Sequence, residues 1–221
     1  MVPVPDAVIF DLDGVLLDSE QLWNEAKEAL VRERGGRWHD DAATDMMGMS
    51  SPEWSAYLRD DLEVPLDAEA INDDVVRRMR DGYARELPLL PGAQQAVRSL
   101  SAHWPLGLAS SSNRELIDLV LELAHLTDAF TATVSSEEVA RGKPSPDVYL
   151  EAARRLAVDP ARCVAIEDSS NGLRAAVAAG MTVIAIPNPH YPPADDALEL
   201  AAARVDVAGD VTPAVVREVG G

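Results

Sequence analysis

An apolar run that breaks into two aspartates and a glycine, Val8-Ile9-Phe10-Asp11-Leu12-Asp13-Gly14, narrows the choice of fold more than any other stretch of the chain. Short apolar runs of this kind read as strands buried on both faces of a parallel sheet. Residues two apart on an extended segment point to one side, so Asp11 and Asp13 could address a common site. Gly14 lets the chain leave the sheet in a conformation closed to residues with a Cβ. Two acids at the end of a buried strand are costly to desolvate unless a cation or a proton satisfies them. The alternative is a pair of solvated acids in a polar turn.

The remaining sequence supplies the sheet. After Gly92 helical and strand-like patterns alternate: helices over 93–101, 113–123, 146–157 and 170–179, strands over 106–109, 131–134, 163–166 and 182–186. A weaker strand at 204–207 and a short helix from Pro213 close the chain. Strands separated by helices imply an α/β fold, a Rossmann-like parallel sheet with helices on both faces. Between the first strand and this region the pattern is helical throughout, over 20–34, 41–47, 52–61 and 68–85, with Gly35-Gly36 ending the first helix. Ser19, Ser51 ahead of Pro52, and Ser145 ahead of Pro146 are the expected N-caps, and Ser112 with Glu115 has capping-box spacing. Residues 86–92, with two prolines, read as a hinge. The expected organisation is a core of residues 1–18 and 89–221, interrupted by an all-helical cap over 19–88. A chain of 221 residues accommodates both.

Charge limits the partners. A formal net charge of −19 argues against nucleic acid and against an anionic membrane surface, both of which are met with clustered Lys and Arg. No apolar run approaches the roughly eighteen residues of a membrane span, and the first residues show no secretory pattern. Cys163, the single cysteine, excludes an internal disulfide and a cysteine-rich zinc site. The expectation is a cytoplasmic, monomeric enzyme. If its substrate is anionic, positive charge must be concentrated at the site.

Open parallel sheets bind ligands at the carboxyl ends of their strands. Four junctions there carry polar groups. Asp11 and Asp13 follow the first strand. Ser110-Ser111-Ser112-Asn113 follows the second, where Ser110 would stand ahead of a helix N-terminus that favours an anion, or serve only as loop and cap chemistry. Arg141-Gly142-Lys143-Pro144 leads into the next helix, with Pro144 biasing Lys143 toward an extended conformation. Glu167-Asp168 ends the fourth strand; neighbouring acids there look like ligands for a hard cation such as magnesium, although Asp168 could instead cap a helix.

Taken in order, these motifs resemble those of the haloacid dehalogenase-like superfamily. Asp11-Leu12-Asp13-Gly14 is similar to its first motif, Ser110 to its second, Lys143 to its third and Glu167-Asp168 to its fourth. The helical insert after the first motif resembles the subgroup that holds phosphoglycolate phosphatases, sugar-phosphate phosphatases and β-phosphoglucomutases. The resemblance implies a magnesium-dependent phosphatase acting on a small phosphorylated metabolite. Asp11 would attack phosphorus to form an aspartyl-phosphate, and Asp13 would protonate the leaving alcohol and later activate water. Magnesium would lie on the Asp11 carboxylate, the Asp13 carbonyl and Asp168, with Glu167 acting on it directly or through water. Ser110, the Ser111 amide and Lys143 would hold the phosphoryl oxygens.

Within the family, Asp13 argues against dehalogenation, whose enzymes lack the second aspartate, and against P-type ATPases, which carry threonine there. The β-phosphoglucomutase-like members place a histidine in the first insert helix, where this chain has Trp23, and an arginine past the insert's glycine loop, which here reads Met47-Gly48-Met49-Ser50-Ser51-Pro52. Hydrolysis is therefore preferred to a mutase reaction, and both to a non-catalytic module on the same fold. Trp23, Met47, Gly48, Met49 and Asn113 are the expected substrate-side residues. Met46 and Trp54 could line the same pocket or belong to the core, and Arg77, Arg78 and Arg80 could supply the missing arginine or form a solvated helix face.

Overall fold

The computed structural model describes residues 4–47, 49–189 and 191–221. Strand β1 (Ala7–Phe10) is followed by four helices, α1 (Glu20–Glu33), α2 (Ala42–Asp45), α3 (Ser51–Asp60) and α4 (Ala68–Arg85). The chain then alternates through α5 (Ala93–Ser101), β2 (Leu106–Ser110), α6 (Arg114–Leu123), β3 (Ala132–Ser135), α7 (Asp147–Leu156), β4 (Cys163–Glu167) and α8 (Ser170–Ala178). Strand β5 (Thr182–Ala185), α9 (Asp195–Leu198), β6 (Ala203–Arg204) and α10 (Pro213–Val219) complete it. The six strands form one parallel sheet in the order β3-β2-β1-β4-β5-β6.

Alternation along the strands builds a core on each side. Val8 and Phe10 of β1 join Leu106, Leu108, Val164 and Ile166 in a cluster that includes the buried faces of α5 and α6. Ala7 and Ile9 point the other way, with Cys163 and Ala165, toward α7 and α8. Phe10 meets Phe130 edge to face at 6.0 Å. β1 lies between β2 and β4, so all of its side chains are buried, as an uninterrupted apolar run requires. The strand order also reverses there: the chain moves outward through β2 and β3, then returns to place β4 on the other side of β1. Ligands of open α/β sheets collect at such a reversal. Asp11 and Glu167-Asp168 emerge side by side at it.

Helices α1, α3 and α4 pack on one another. The two strands of chain that connect them to the sheet run together: Asp18 N donates to Pro88 O at 2.8 Å, and Leu90 N to Leu16 O at 2.9 Å.

Four expected caps are reassigned. Ser19 precedes α1 but caps nothing; its hydroxyl donates to Asp13. Ser112 likewise donates to Asp13 Oδ2 at 2.6 Å, while Asn113 takes the cap position of α6. Ser145 donates to Asp147, and α7 starts from Pro146. Ser50, one residue earlier than expected, caps α3 in a capping box with Glu53. In each of the first three cases a carboxylate outcompetes the helix amides, because charge-assisted hydrogen bonds are the stronger.

Candidate active site

At the floor of the crevice, Lys143 is 5% exposed and sits between two acids. Its Nζ lies 2.6 Å from Glu167 Oε1 and 2.8 Å from Asp11 Oδ1, and 5.1 Å from the centre of the Tyr149 ring. Burial works against its charge, yet Asp11 and Glu167 together hold it above the ordinary lysine value. Lys143 is therefore a fixed cation.

Glu167 is wholly buried and both of its oxygens are engaged. Oε1 accepts from Lys143 and from Tyr149 OH at 2.8 Å; Oε2 accepts from the Asp168 and Ser169 amides at 2.9 and 3.2 Å. Gly172 makes room for it, since a Cβ there would lie 1.7 Å from Oε1. Local sequence explains the arrangement: β4 delivers the carboxylate to the N-terminus of α8, whose free amides favour negative charge. Tyr149, one turn into α7, was not among the expected site residues; nothing in its spacing relates it to the β4–α8 turn.

Asp11 and Asp168 lack such support. Asp11 Oδ1 is buried and makes no hydrogen bond, although Lys143 is near. No side chain among the described residues donates a hydrogen bond to the Asp168 carboxylate. Burial raises the affinity of Asp11 for its proton, against the pull of Lys143 and with the push of Glu167. Asp168 is raised well above the carboxylate range by burial, then by Glu167 and Asp11. Oxygens of Asp11, Glu167 and Asp168 lie within 4.8 Å of one another. Three carboxylates so close, with one lysine among them and one oxygen unsatisfied, fit a hard cation. Gly14, at φ +77°, is the other half of the fit. A Cβ at that position would stand 1.8 Å from Asp168 Oδ2, so the sharp turn out of β1 and the placement of Asp168 need the same glycine.

Asp13 is held from three directions. Oδ1 accepts from the Ser19 hydroxyl and from Trp23 Nε1 at 3.4 Å, and Oδ2 from Ser112. A cavity of about 290 Å³ opens above Asp11, Asp13, Lys143 and Asp168, with Ser111, Met47 and Tyr191 on its walls. A smaller one, of about 100 Å³, adjoins it across Asp13 and Ser111 and is lined by Trp23, Met49 and Trp54.

The structure thus brings together Asp11, Asp13, Ser111, Lys143, Glu167 and Asp168, with Trp23, Met47 and Met49 alongside. Ser110 is fully buried at the end of β2, where its hydroxyl accepts from Ser112 N at 3.0 Å. Asn113 lines neither cavity; its amide is taken by Ser51, Asn72 and Glu137. Gly48 lies outside the described residues. Arg77 and Arg78 pair with Asp74, and Arg78 also with Glu33. Among the cavity residues that escaped the sequence reading are Glu20, which lines both, and Lys27, which lines the smaller. Their spacing with Trp23, at i, i+3 and i+7 on α1, places all three on one helix face and could have revealed them.

The chain resembles known proteins along most of its length. A family model of haloacid dehalogenase-like hydrolases matches residues 5–180. Hexitol phosphatase B of Escherichia coli (strain K12) is 38% identical over 189 residues, covering 83% of this chain and 84% of that protein. A bifunctional riboflavin kinase/FMN phosphatase of Arabidopsis thaliana is 34% identical over 183 residues, 82% of this chain; the chain spans about half (48%) of its length. Among solved structures, CbbY from Rhodobacter sphaeroides in complex with phosphate superposes with a TM-score of 0.83 at 26% identity, covering 97% of this chain and all (100%) of that one.

Proposed function

The chain belongs to the haloacid dehalogenase-like hydrolases, and from that premise we propose that it is a magnesium-dependent phosphatase of a small phosphorylated metabolite, working through phosphorylation of Asp11. One observation carries the reading: a buried aspartate oxygen without a hydrogen bond, at the foot of a cavity, 2.8 Å from an equally buried lysine.

Asp11 is the nucleophile. A carboxylate oxygen of Asp11 forms the bond to phosphorus as the bond to the leaving alkoxide breaks, and Asp13 gives that alkoxide a proton. Ser19, Ser112 and Trp23 hold the Asp13 carboxyl toward the oxygen it protonates. In the second half, Asp13 takes a proton from water, which attacks the aspartyl-phosphate and returns Asp11 and inorganic phosphate. Lys143 and the Ser111 amide steady the phosphoryl oxygens, and the buried Ser110 hydroxyl supports that loop through the Ser112 amide. Asp11, Asp168 and the Asp13 carbonyl would hold the magnesium ion, which supplies the charge neutralisation that lets a carboxylate approach a phosphate. Glu167, with both oxygens engaged, serves chiefly to fix Lys143 and the β4–α8 turn, and reaches the ion at most through water.

Residues 19–88 form the cap that covers the cavity, and residues 1–18 and 89–221 the core; the paired connections at 16–18 and 88–90 are the hinge. Trp23 stands where a mutase would need a histidine, and its indole is engaged with Asp13. Hydrolysis is therefore favoured over phosphoryl return to a sugar. No helix among the described residues is long and apolar enough to cross a membrane. A monomer in the cytoplasm completes the proposal: the large exposed apolar residues Val4, Leu123, Leu150, Leu200 and Val207 are scattered along the chain, and Cys163 is free.

The test is phosphate release from p-nitrophenyl phosphate. Magnesium should be required, EDTA should abolish it, and Asp11→Asn should lower turnover by roughly a thousandfold or more while retaining the far-ultraviolet spectrum. β-Glucose 1-phosphate with a bisphosphate primer should yield little glucose 6-phosphate. Undiminished turnover by Asp11→Asn would sink the nucleophile assignment.

A further inference from the structure

Lys27 is a lysine without an acid. It is 6% exposed, and no carboxylate among the described residues comes within ion-pair distance of it. What it has instead are two indoles: its Nζ lies 5.3 Å from the centres of both the Trp23 and Trp54 rings, which are 6.0 Å apart. Aromatic faces compensate part of an ammonium's lost hydration and provide no hydrogen-bond acceptor of the kind it left in water. A buried ammonium in this condition is a binding group awaiting its ligand.

Its position says which part of a ligand it meets. The smaller cavity, about 100 Å³, contains Lys27 and Asn24 together with Asp13, Ser111 and Ser112, but neither Asp11 nor Lys143. Phosphoryl chemistry belongs to Asp11 and Lys143 in the larger cavity. Asp13 is shared by both, and Asp13 is the group that protonates the leaving oxygen. The smaller cavity therefore receives the alcohol, and Lys27 lies along its wall.

We propose that Lys27 binds a second anionic group carried by the leaving alcohol, so that the enzyme prefers phosphate monoesters with a carboxylate or a second phosphate at the far end from the scissile phosphate. This rests on the phosphatase reading above. Trp23, Trp54 and Met49 line this cavity with apolar surface, which strengthens an ammonium–anion contact. Glu20, on the same helix face, borders both cavities. Burial draws Lys27 down to about 8, against the opposing influence of Glu20 and Asp13. A bound anion would secure its charge.

Two matched pairs test the assignment. 3-Phosphoglycerate and glycerol 3-phosphate differ only in a carboxylate against a hydroxymethyl group; fructose 1,6-bisphosphate and fructose 6-phosphate differ in a second phosphate. With magnesium, the wild-type enzyme should favour the charged member of one pair by roughly tenfold or more in kcat/KM. The pair that responds identifies the anion. Lys27→Met should remove the preference chiefly through KM, and Lys27→Arg should keep part of it. Turnover without preference in either pair overturns the subsite and leaves the phosphatase reading standing; this outcome needs only the wild-type protein. A preference that survives in Lys27→Met also overturns it. No turnover of any ester, p-nitrophenyl phosphate included, overturns both.

Discussion

Burial of Lys27 in the free protein has a consequence that can be measured without a substrate. Its proton is held less tightly in the folded chain, with the value drawn from 10.5 to about 8 by burial between Trp23 and Trp54. Below pH 8 the folded and unfolded chains are both charged at this residue, and the folded state bears the full desolvation cost. Between about pH 8 and 10.5 the unfolded chain holds more protons, so this contribution to stability rises with pH. Above 10.5 both forms are neutral and the cost is gone. The difference amounts to about 3 kcal/mol. Glu20 and Asp13 are the acids that act on Lys27, and Tyr83, raised well above its usual value mainly by burial, titrates beyond this window. Lys27→Met cannot titrate there. Urea unfolding of both proteins in EDTA, from pH 7 to 10.5, should therefore show the variant's stability relative to wild type falling by about 3 kcal/mol across the window. Changes in packing shift that difference by a constant and leave its slope untouched. A difference independent of pH would show that Lys27 is hydrated in the folded chain, and the argument from its burial would fail.

Other consequences follow from the site itself. Gly14→Ala and Gly180→Ala both place a Cβ at positive φ, +77° and +83°, and each should lose roughly 1–2 kcal/mol in chemical denaturation. Only Gly14→Ala, whose Cβ meets Asp168 rather than open space, should also raise the magnesium concentration needed for half-maximal turnover. Lys143→Met strips the partner from two buried acids and should cost about 3–5 kcal/mol of stability; where it folds, turnover should fall at least a hundredfold or so. Equal turnover in that variant would remove Lys143 from the phosphate site.

Much of the fold was legible because β1 is both apolar throughout and chemically marked at its end. The burial of β1 on both faces follows from Ala7–Phe10, and the acids of β4 are announced in the same way by Cys163–Ile166. Hydroxyl partners were not legible. Ser19, Ser112 and Ser145 each satisfy a capping rule locally, yet each donates to a carboxylate; for Ser112 that acid, Asp13, lies 99 residues away. Local rules cannot weigh an acceptor that only the fold brings near. The division of labour between Glu167 and Asp168 was equally hidden, because adjacent acids look alike until Tyr149 and Lys143 arrive from α7 and its preceding loop to claim one of them. Lys27 was overlooked for a related reason: a lysine on a helix is usually solvated, and only the two tryptophans that flank it make it otherwise.

These assignments resolve how a chain of net charge −19 can receive an anionic substrate. Asp11, Glu167 and Asp168 crowd three carboxylates around the one charge of Lys143, a deficit of positive charge that adds to burial in raising Asp11 and Asp168 above the ordinary carboxylate value. A bound divalent ion would let Asp11 and Asp168 ionise together, which is the role proposed above for magnesium. Once the deficit is filled, the fixed charge of Lys143 and the amides of the β2–α6 turn face the phosphoryl group with little opposing it. The rest of the substrate meets a second environment across Asp13, where a single unpaired ammonium stands between indoles. If both assignments hold, Lys143 serves the transferred phosphate and Lys27 the leaving group from opposite sides of Asp13, so Lys27→Met should change substrate preference without changing the magnesium requirement.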